Sequence, residues 1–344
     1  MLTKNKLQQI GHSLGFEEVR TCSTEPFKEN AYILKNRIEE GLYPLDIIRW
    51  LKPLQTNIGT VDPKASDPNA KTIISLAYHY YSDTPTDLTQ PGDPHGVIAR
   101  NYMFDVYGEL RRRREELSNE LRRRGVKTTI TDELPLKSVA VRAGVGWQGK
   151  NSLILNEEHG SWLALKCLLI DQEMEPDEPH ENKCGNCTSC IDACPTGAIK
   201  APGIIDVNRC IDYLTCKPGT VQPTLREKMA NRIVSCDKCQ EACPYSKRSK
   251  TTKKQIPRHN PVYRESPALI PLLHLSEDEF IHHYGDCDII DKNFSSFRRN
   301  IITALGNLMD QSALKELEKI RDDNPTVSGT RDWALERIKS RALN

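Results

Sequence analysis

No part of this chain stays apolar for long. The longest run, WLALKCLLI at 162–170, falls far short of the roughly 20 residues a membrane span needs. The N-terminus carries no apolar signal-peptide core. A soluble, cytoplasmic protein with no membrane partner is expected. An excess of charge is also missing: 48 Lys and Arg stand against 47 Asp and Glu, so attraction to a polyanion has to come from local patches. A secreted disulfide framework is a poor fit as well. There are twelve cysteines, but most crowd between 184 and 243, a distribution that reads as metal ligands in a reducing compartment. The length, 344 residues, leaves room for two or three domains at roughly 150 residues each.

The crowded cysteines carry the strongest signal. CGNCTSCIDACP (184–195) contains Cys184, Cys187, Cys190 and Cys194 followed by Pro195. This is the C-x2-C-x2-C-x3-C-P run of dicluster ferredoxins, in which the fourth cysteine ligates the other cluster. A second run follows in CDKCQEACP (236–244), with Cys236, Cys239 and Cys243, but Ile233 stands where its first cysteine belongs. The crossed rule assigns Cys184, Cys187, Cys190 and Cys243 to one 4Fe-4S cluster and Cys194, Cys236 and Cys239 to three corners of another. The fourth corner is Cys210 or Cys216. DVNRCIDYLT (206–215) reads as a helix opening able to pack on a cluster, whereas Cys216 precedes the turn signal KPG, which favours Cys210. Zinc is the rival metal, but zinc sites favour two separated pairs, and Cys-Pro endings belong to ferredoxins. Cys22, Cys167 and Cys287 are isolated and read as buried thiols.

Around the cysteines, helices and strands alternate. Residues 1–20 have apolar positions near helical spacing, and TIISLAYHYY (72–81) reads as a strand. Residues 105–125 read as a helix with Val106, Leu110, Leu117 and Leu121 on one side and a stop at Gly125. Its seven arginines between 111 and 124 are interleaved with four acids between 109 and 120, so a solvated ion-paired face and an RNA contact both fit. The better phosphate-binding candidate is 247–258, with six Lys or Arg and no acid. Near the end, NIITALGNL and DWALERI echo each other about 33 residues apart, as in a short helical repeat.

Two motifs mislead. GVGWQGKN (144–151) contains G-x-G-x-x-G, but the preceding 134–143 looks helical, and Asn151 stands where a P-loop needs a hydroxyl. DPHGVI (93–98) begins like a cobalt-ligating D-x-H-x-x-G motif, but Ile98 replaces its glycine, so His95 is not expected to bind cobalt.

The order AVRAGVGWQGKNSLIL…GSW (140–162), EPDEP (175–179), CGNCTSCIDACPTGAI (184–199), RCIDYLT (209–215) and CDKCQEACP resembles epoxyqueuosine reductase, an iron–sulfur and cobalamin relative of the reductive dehalogenases. The resemblance runs from about residue 72 to the end and fits 20–71 loosely. It implies reduction of epoxyqueuosine to queuosine in tRNA, two 4Fe-4S clusters and a base-off cobalamin. It also implies a mixed α/β (α+β) fold in three parts: a nitroreductase-like cobalamin-binding domain over 1–175, a dicluster ferredoxin-like domain over 176–260, and a helical HEAT-like region over 261–344. The family's second cluster takes a cysteine from RCIxYLT, which again favours Cys210. The expected partners are tRNA bearing epoxyqueuosine and a low-potential electron donor protein, and the expected unit is a monomer. Expelling the epoxide oxygen needs an acid. The family's aspartate, aligned on Asp-x-x-Pro, falls on Asp132 of TDELPLKS (131–138), with Glu133 as second choice. This loop departs from the family pattern: two residues are missing before RAG, and Lys137 and Ser138 fall where Glu-Arg begins, which makes Lys137 an anion or proton partner particular to this chain. Two rival readings are a cobalamin-dependent reductase of another electrophile such as an organohalide, and a dicluster electron carrier with no substrate of its own.

Overall fold

The stretch richest in β-branched and aromatic residues forms the centre of the main sheet. A computed structural model of the chain describes residues 2–44, 61–84, 86–103, 105–252, 266–284 and 293–341. Its strands are β1 (Glu18–Ser23), β2 (Thr72–His79), β3 (Val97–Ile98), β4 (Thr128–Ile130), β5 (Trp147–Gln148), β6 (Ile154–Leu155), β7 (Leu163–Ile170), β8 (Ile199–Ala201), β9 (Ile204–Ile205) and β10 (Arg232–Val234). The main sheet runs β1-β2-β7-β4, and every neighbouring pair is antiparallel. β2 and the second half of β7 are buried throughout, which is why they read as continuous apolar runs without alternation.

Helices cover both faces of this sheet. The Val106–Arg123 helix lies on one face with Val106, Leu110, Leu117 and Leu121 fully buried against Ile74, Leu76 and Leu168. Each of those leucines contributes about 2 kcal/mol by leaving water. Asp105 caps the helix by accepting the N–H of Gly108 at 2.9 Å, and Gly125, at φ +80°, ends it. The short Leu136–Arg142 helix lies on the other face, where Val139 joins Ile73 and Leu169. Cys22 and Cys167 are buried beside it, as expected, while Cys287 lies outside the described residues.

The arginines of the long helix form ion pairs. Arg112 and Arg113 hold Glu109, and Arg123 and Arg124 hold Glu120. Arg114 turns inward to Asp132. This favours the solvated-face reading over an RNA contact. Of the basic stretch 247–258, residues from 253 on lie outside the described set.

A third core joins distant parts of the chain. β3 pairs in parallel with β10, and Ile98, Ile233 and Val234 pack with Phe297, Ile301 and Leu305 of the C-terminal helices. The expected domain divisions near 175 and 260 therefore separate stretches that share one core. The echoing stretches lie on the Phe294–Leu308 and Pro325–Arg341 helices. These helices approach so closely that a Cβ at Gly306 would sit 2.6 Å from Trp333. Buried Arg299 donates to the carbonyls of Leu214 (2.9 Å) and Lys217 (2.8 Å), and Asn300 donates to those of Thr215 (2.8 Å) and Ile233 (2.9 Å). The helical tail is thereby keyed into the segment that carries Cys210.

Candidate active site

The two cysteine runs fold alike. In the first, the Ser189–Asp192 turn of helix ends with Ala193 N–H donating to Ser189 O before Cys194-Pro195. In the second, Lys238–Glu241 ends with Ala242 N–H donating to Lys238 O before Cys243-Pro244. Proline cannot continue either helix turn, so both chains turn away at the last cysteine, and each last cysteine joins the other group. Cys190 lies within electrostatic reach of Cys184, Cys187 and Cys243, and these four line one pocket of about 240 Å³. Cys236 lies within reach of Cys194, and Cys239 within reach of Cys236 and Cys210. Those four line one large cavity. Cys216 lines neither space and has Arg299 in its neighbourhood. Among the described residues, no three His, Cys, Asp or Glu side chains gather tightly enough to hold one metal ion. A cuboidal cluster spreads its four thiolates over separate irons, so the two groups fit the cluster and not a mononuclear site.

The glycine motif that resembled a nucleotide loop builds the wall of the first group. Trp147 packs on Cys243 and meets Tyr245 edge-on at 5.0 Å. Lys150 donates to Gly185 O at 2.7 Å. A Cβ at Gly146 would lie 2.0 Å from Leu155 O, so the motif's glycine serves close packing of the β5–β6 hairpin. Trp147 Nε1 and Asn151 Nδ2 are buried donors without partners among the described residues, and Asn151 lines both the first pocket and the large cavity. Such donors suit the sulfide faces of an anionic cluster. Nothing in the cysteine spacing alone pointed to them.

The second group is held from behind. Asp237, next to Cys236, accepts the backbone N–H of Arg100 at 2.8 Å and Gln240 Nε2 at 2.8 Å. Arg100 also donates to Glu241 at 2.9 Å and lies over the Trp162 ring at 5.1 Å. Burial pushes the Cys210 thiol up to about 12 and the Cys236 thiol up to about 11, so these sulfurs become thiolates only with a cationic partner. Beyond them opens a cavity of about 1150 Å³, larger than the roughly 300–1,000 Å³ of sites that bury a drug-sized ligand. Its walls include Ile33, Leu136, Val141, Leu163, Leu165 and Ile205. A broad, partly apolar space against half-buried cysteines fits a planar macrocycle such as a corrin.

The 131–138 loop divides its candidates. Asp132 does not line the cavity. It accepts from Arg114 Nη1 (2.7 Å), Arg114 Nη2 (3.1 Å) and Lys166 Nζ (2.6 Å). Lys166 is paired with Leu76, on the face of the sheet covered by the Val106–Arg123 helix. Partial burial pushes the Asp132 carboxyl up, but the hydrogen bonds from Arg114 and then Lys166 outweigh it and hold it at about 2. Glu133 is exposed and also off the cavity wall. Lys137, two residues into the Leu136–Arg142 helix, does line the cavity. His95 lies elsewhere, with Nδ1 on Ser266 O at 2.6 Å and Nε2 on Asp93 at 3.1 Å.

Comparison with known proteins agrees with this arrangement. Residues 183–246 match the family model described as a 4Fe-4S double cluster binding domain. The epoxyqueuosine reductase of Bacillus subtilis is 35% identical over 289 residues, covering 81% of this chain and 74% of that protein. The Vibrio cholerae enzyme of the same name is 30% identical over 342 residues, covering 96% and 91%. A crystal structure of epoxyqueuosine reductase with an epoxyqueuosine-modified tRNA-Tyr stem loop superposes with a TM-score of 0.88 at 30% identity, over 99% of this chain and 91% of that one. A Bacillus subtilis structure, described as having its catalytic aspartate loop swung out of the active site, gives 0.87 at 30% identity, over 97% and 90%.

Proposed function

Because this chain belongs to the epoxyqueuosine reductase family, we propose that it reduces epoxyqueuosine to queuosine at the wobble position of tRNA. The observation that carries the reading is a shared wall: Cys194, Cys210, Cys236 and Cys239 face the same cavity of about 1150 Å³ that has room for a substrate and a corrin. An electron carrier without chemistry of its own has no use for such a space.

In this reading Cys184, Cys187, Cys190 and Cys243 hold one 4Fe-4S cluster, and Cys194, Cys210, Cys236 and Cys239 hold the second. The cavity walls would hold a cobalamin, and His95, bonded to Ser266 and Asp93, is not among their residues. The clusters supply electrons singly, and cobalamin supplies a strongly nucleophilic low-valent cobalt. The chain's own residues shape the path. A low-potential donor protein approaching from the side of exposed Cys187 would meet the first group, while half-buried Cys210 and Cys239 set the second group on the cavity wall. Leu136, Val141, Leu163 and Leu165 shed water from the cavity. Asp132 supports the reading only as the residue of a loop able to move: from where it stands, a carboxyl ionised down to about pH 2 and off the cavity wall has no proton to give. Basic residues from 247 on and the helical tail would meet tRNA phosphates. One chain carries every part, so a monomer working on tRNA in the cytoplasm suffices.

Anaerobic titration of cluster-loaded protein with cobalamin, then with tRNA, tests the assignment. One equivalent of cobalamin taken up and tRNA binding that weakens steeply with salt are expected. Absence of corrin uptake would sink it.

A further inference from the structure

The wall of the first pocket carries charge of one sign. Three of the residues lining it are cations, Lys150, Lys183 and Arg248, and none is Asp or Glu. Carboxylates near the rim offset only part of this charge: Glu157 holds Lys183, Glu181 stands within electrostatic reach of Lys183, and Asp192 accepts the Thr188 hydroxyl at 2.7 Å. Lys150 donates to a carbonyl, Gly185 O, and so keeps its full charge. Arg248 lies over the Tyr245 ring at 5.8 Å and makes no hydrogen bond or ion pair with a described residue; exposed Lys247 and Lys250 are close to it in the chain. The segment that bears them is fixed in place, since Ser249 Oγ meets His79 Nε2 at 2.9 Å and the Thr252 N–H donates to Tyr81 O at 2.9 Å. Inside the rim lie exposed Cys187 and Pro244 and half-buried Tyr245.

We propose that this rim is the docking surface for a small acidic protein that carries one electron at a time. The proposal rests on the functional reading above, which needs a low-potential donor, and deepens it by naming the donor's charge and the side chains it meets. The electron path fixes the side. Cys190 of the first group is within electrostatic reach of Cys239 of the second, and the second group lines the large cavity. A donor seated at the first group therefore feeds electrons inward without covering the space the substrate needs. In each encounter the carrier's reduced centre loses one electron and the first cluster gains it; no bond or proton moves. Such encounters bury less than about 1,200 Å², and steering sets their rate: a patch of one sign draws a partner of the other and raises the on-rate roughly 10- to 1,000-fold. Pro244 and Tyr245 supply the apolar centre of a small interface, and Lys150, Lys183 and Arg248 its charged rim. A tRNA phosphate is also drawn to cations, but the reacting base of a tRNA has to reach the large cavity, which Lys150, Lys183 and Arg248 do not line.

The test follows bleaching of the clusters by stopped flow in protein loaded with clusters and cobalamin, without tRNA. Two reductants are used: a reduced acidic ferredoxin, and photoreduced deazariboflavin, which is small and uncharged. The parent, Arg248→Glu and the milder Lys183→Gln are compared from low to high salt. At low salt the ferredoxin rate constant is expected to fall at least about 10-fold in Arg248→Glu and by less in Lys183→Gln. The loss closes near 1 M salt, where charges are screened beyond about 3 Å. Deazariboflavin rates, iron content and the first cluster's EPR signal stay at parental values. Equal losses with both reductants would mean that the cations act on the cluster itself and would overturn the proposal, as would a parental ferredoxin rate that ignores salt. Weaker tRNA binding in Arg248→Glu with an unchanged ferredoxin rate would overturn it too and give the rim to tRNA. None of the rate measurements uses epoxyqueuosine, so failure to convert that substrate would defeat the functional reading and leave the docking test standing.

Discussion

Two sequences alike at four of eight positions, TSCIDACP and DKCQEACP, fold into the same turn of helix and end in different surroundings. The first group of cysteines is near the surface: Cys187 is exposed, and the pocket is small and rimmed by Lys150, Lys183 and Arg248. The second is half-buried throughout and lines the large cavity, where desolvation pushes the Cys210 and Cys236 thiols up to about 12 and about 11. Cys190 of the first group is within electrostatic reach of Cys239 of the second. The motif sets the turn of helix, and what packs around it decides whether its cysteines face a small surface pocket or a large cavity.

The comparison breaks most completely at the borrowed ligand. Cys210→Ser is expected to abolish turnover and the second cluster's EPR signal while the first cluster keeps its own; Cys216→Ser leaves both signals and turnover intact. If Cys216→Ser erased the second signal, the assignment would be reversed. Next in size is the support behind that ligand. Arg299→Ala takes the side-chain donor from the carbonyl of buried Leu214, while that of Lys217 keeps the Ser296 hydroxyl, and leaving such a group unpaired costs about 1–3 kcal/mol. Thermal unfolding should shift down, and the second cluster should be lost on storage before the first. A smaller effect belongs to the other side. Asn151→Leu removes a buried donor on the wall shared by the first pocket and the large cavity, so a redox titration should find at least one cluster potential more negative; two unmoved potentials would show that the amide reaches neither cluster.

The smallest effect concerns Asp132. Its folded carboxyl sits at about 2, below the roughly 3.9 of an unfolded chain. A depressed carboxyl contributes stability that is fully present above pH 4 or so and is lost as pH falls toward 2. With the side chain 53% exposed, solvent screens much of it. Acid unfolding of Asp132→Asn should therefore be slightly less steep than that of the parent between about pH 4 and pH 2, and an unchanged slope would show that Arg114 and Lys166 do not hold the carboxylate in solution.

Much of this was legible before any coordinates. Cysteine spacing carried the crossed grouping because the three-residue gap and proline force a change of direction, and Cys210 followed from the helix opening beside it. The strand at 72–79 and the helix at 106–123 were readable because their apolar residues match one periodicity throughout. The position of Asp132 was not, since its partners Arg114 and Lys166 lie 18 and 34 residues away along the chain and only the packed sheet brings them together. The role of GVGWQGKN was hidden for a similar reason: its glycines answer to Leu155 and Glu178, contacts that a motif read along the chain does not contain. The shared third core likewise depends on β3 meeting β10 across more than a hundred residues.

The most direct test of the account is anaerobic incubation of the cluster- and cobalamin-loaded protein with a low-potential reductant and epoxyqueuosine tRNA, followed by mass analysis of the released nucleosides. The account predicts queuosine, lighter than the starting nucleoside by one oxygen. Epoxyqueuosine recovered intact, with both clusters and the cobalt shown to be reduced in the same sample, would contradict it.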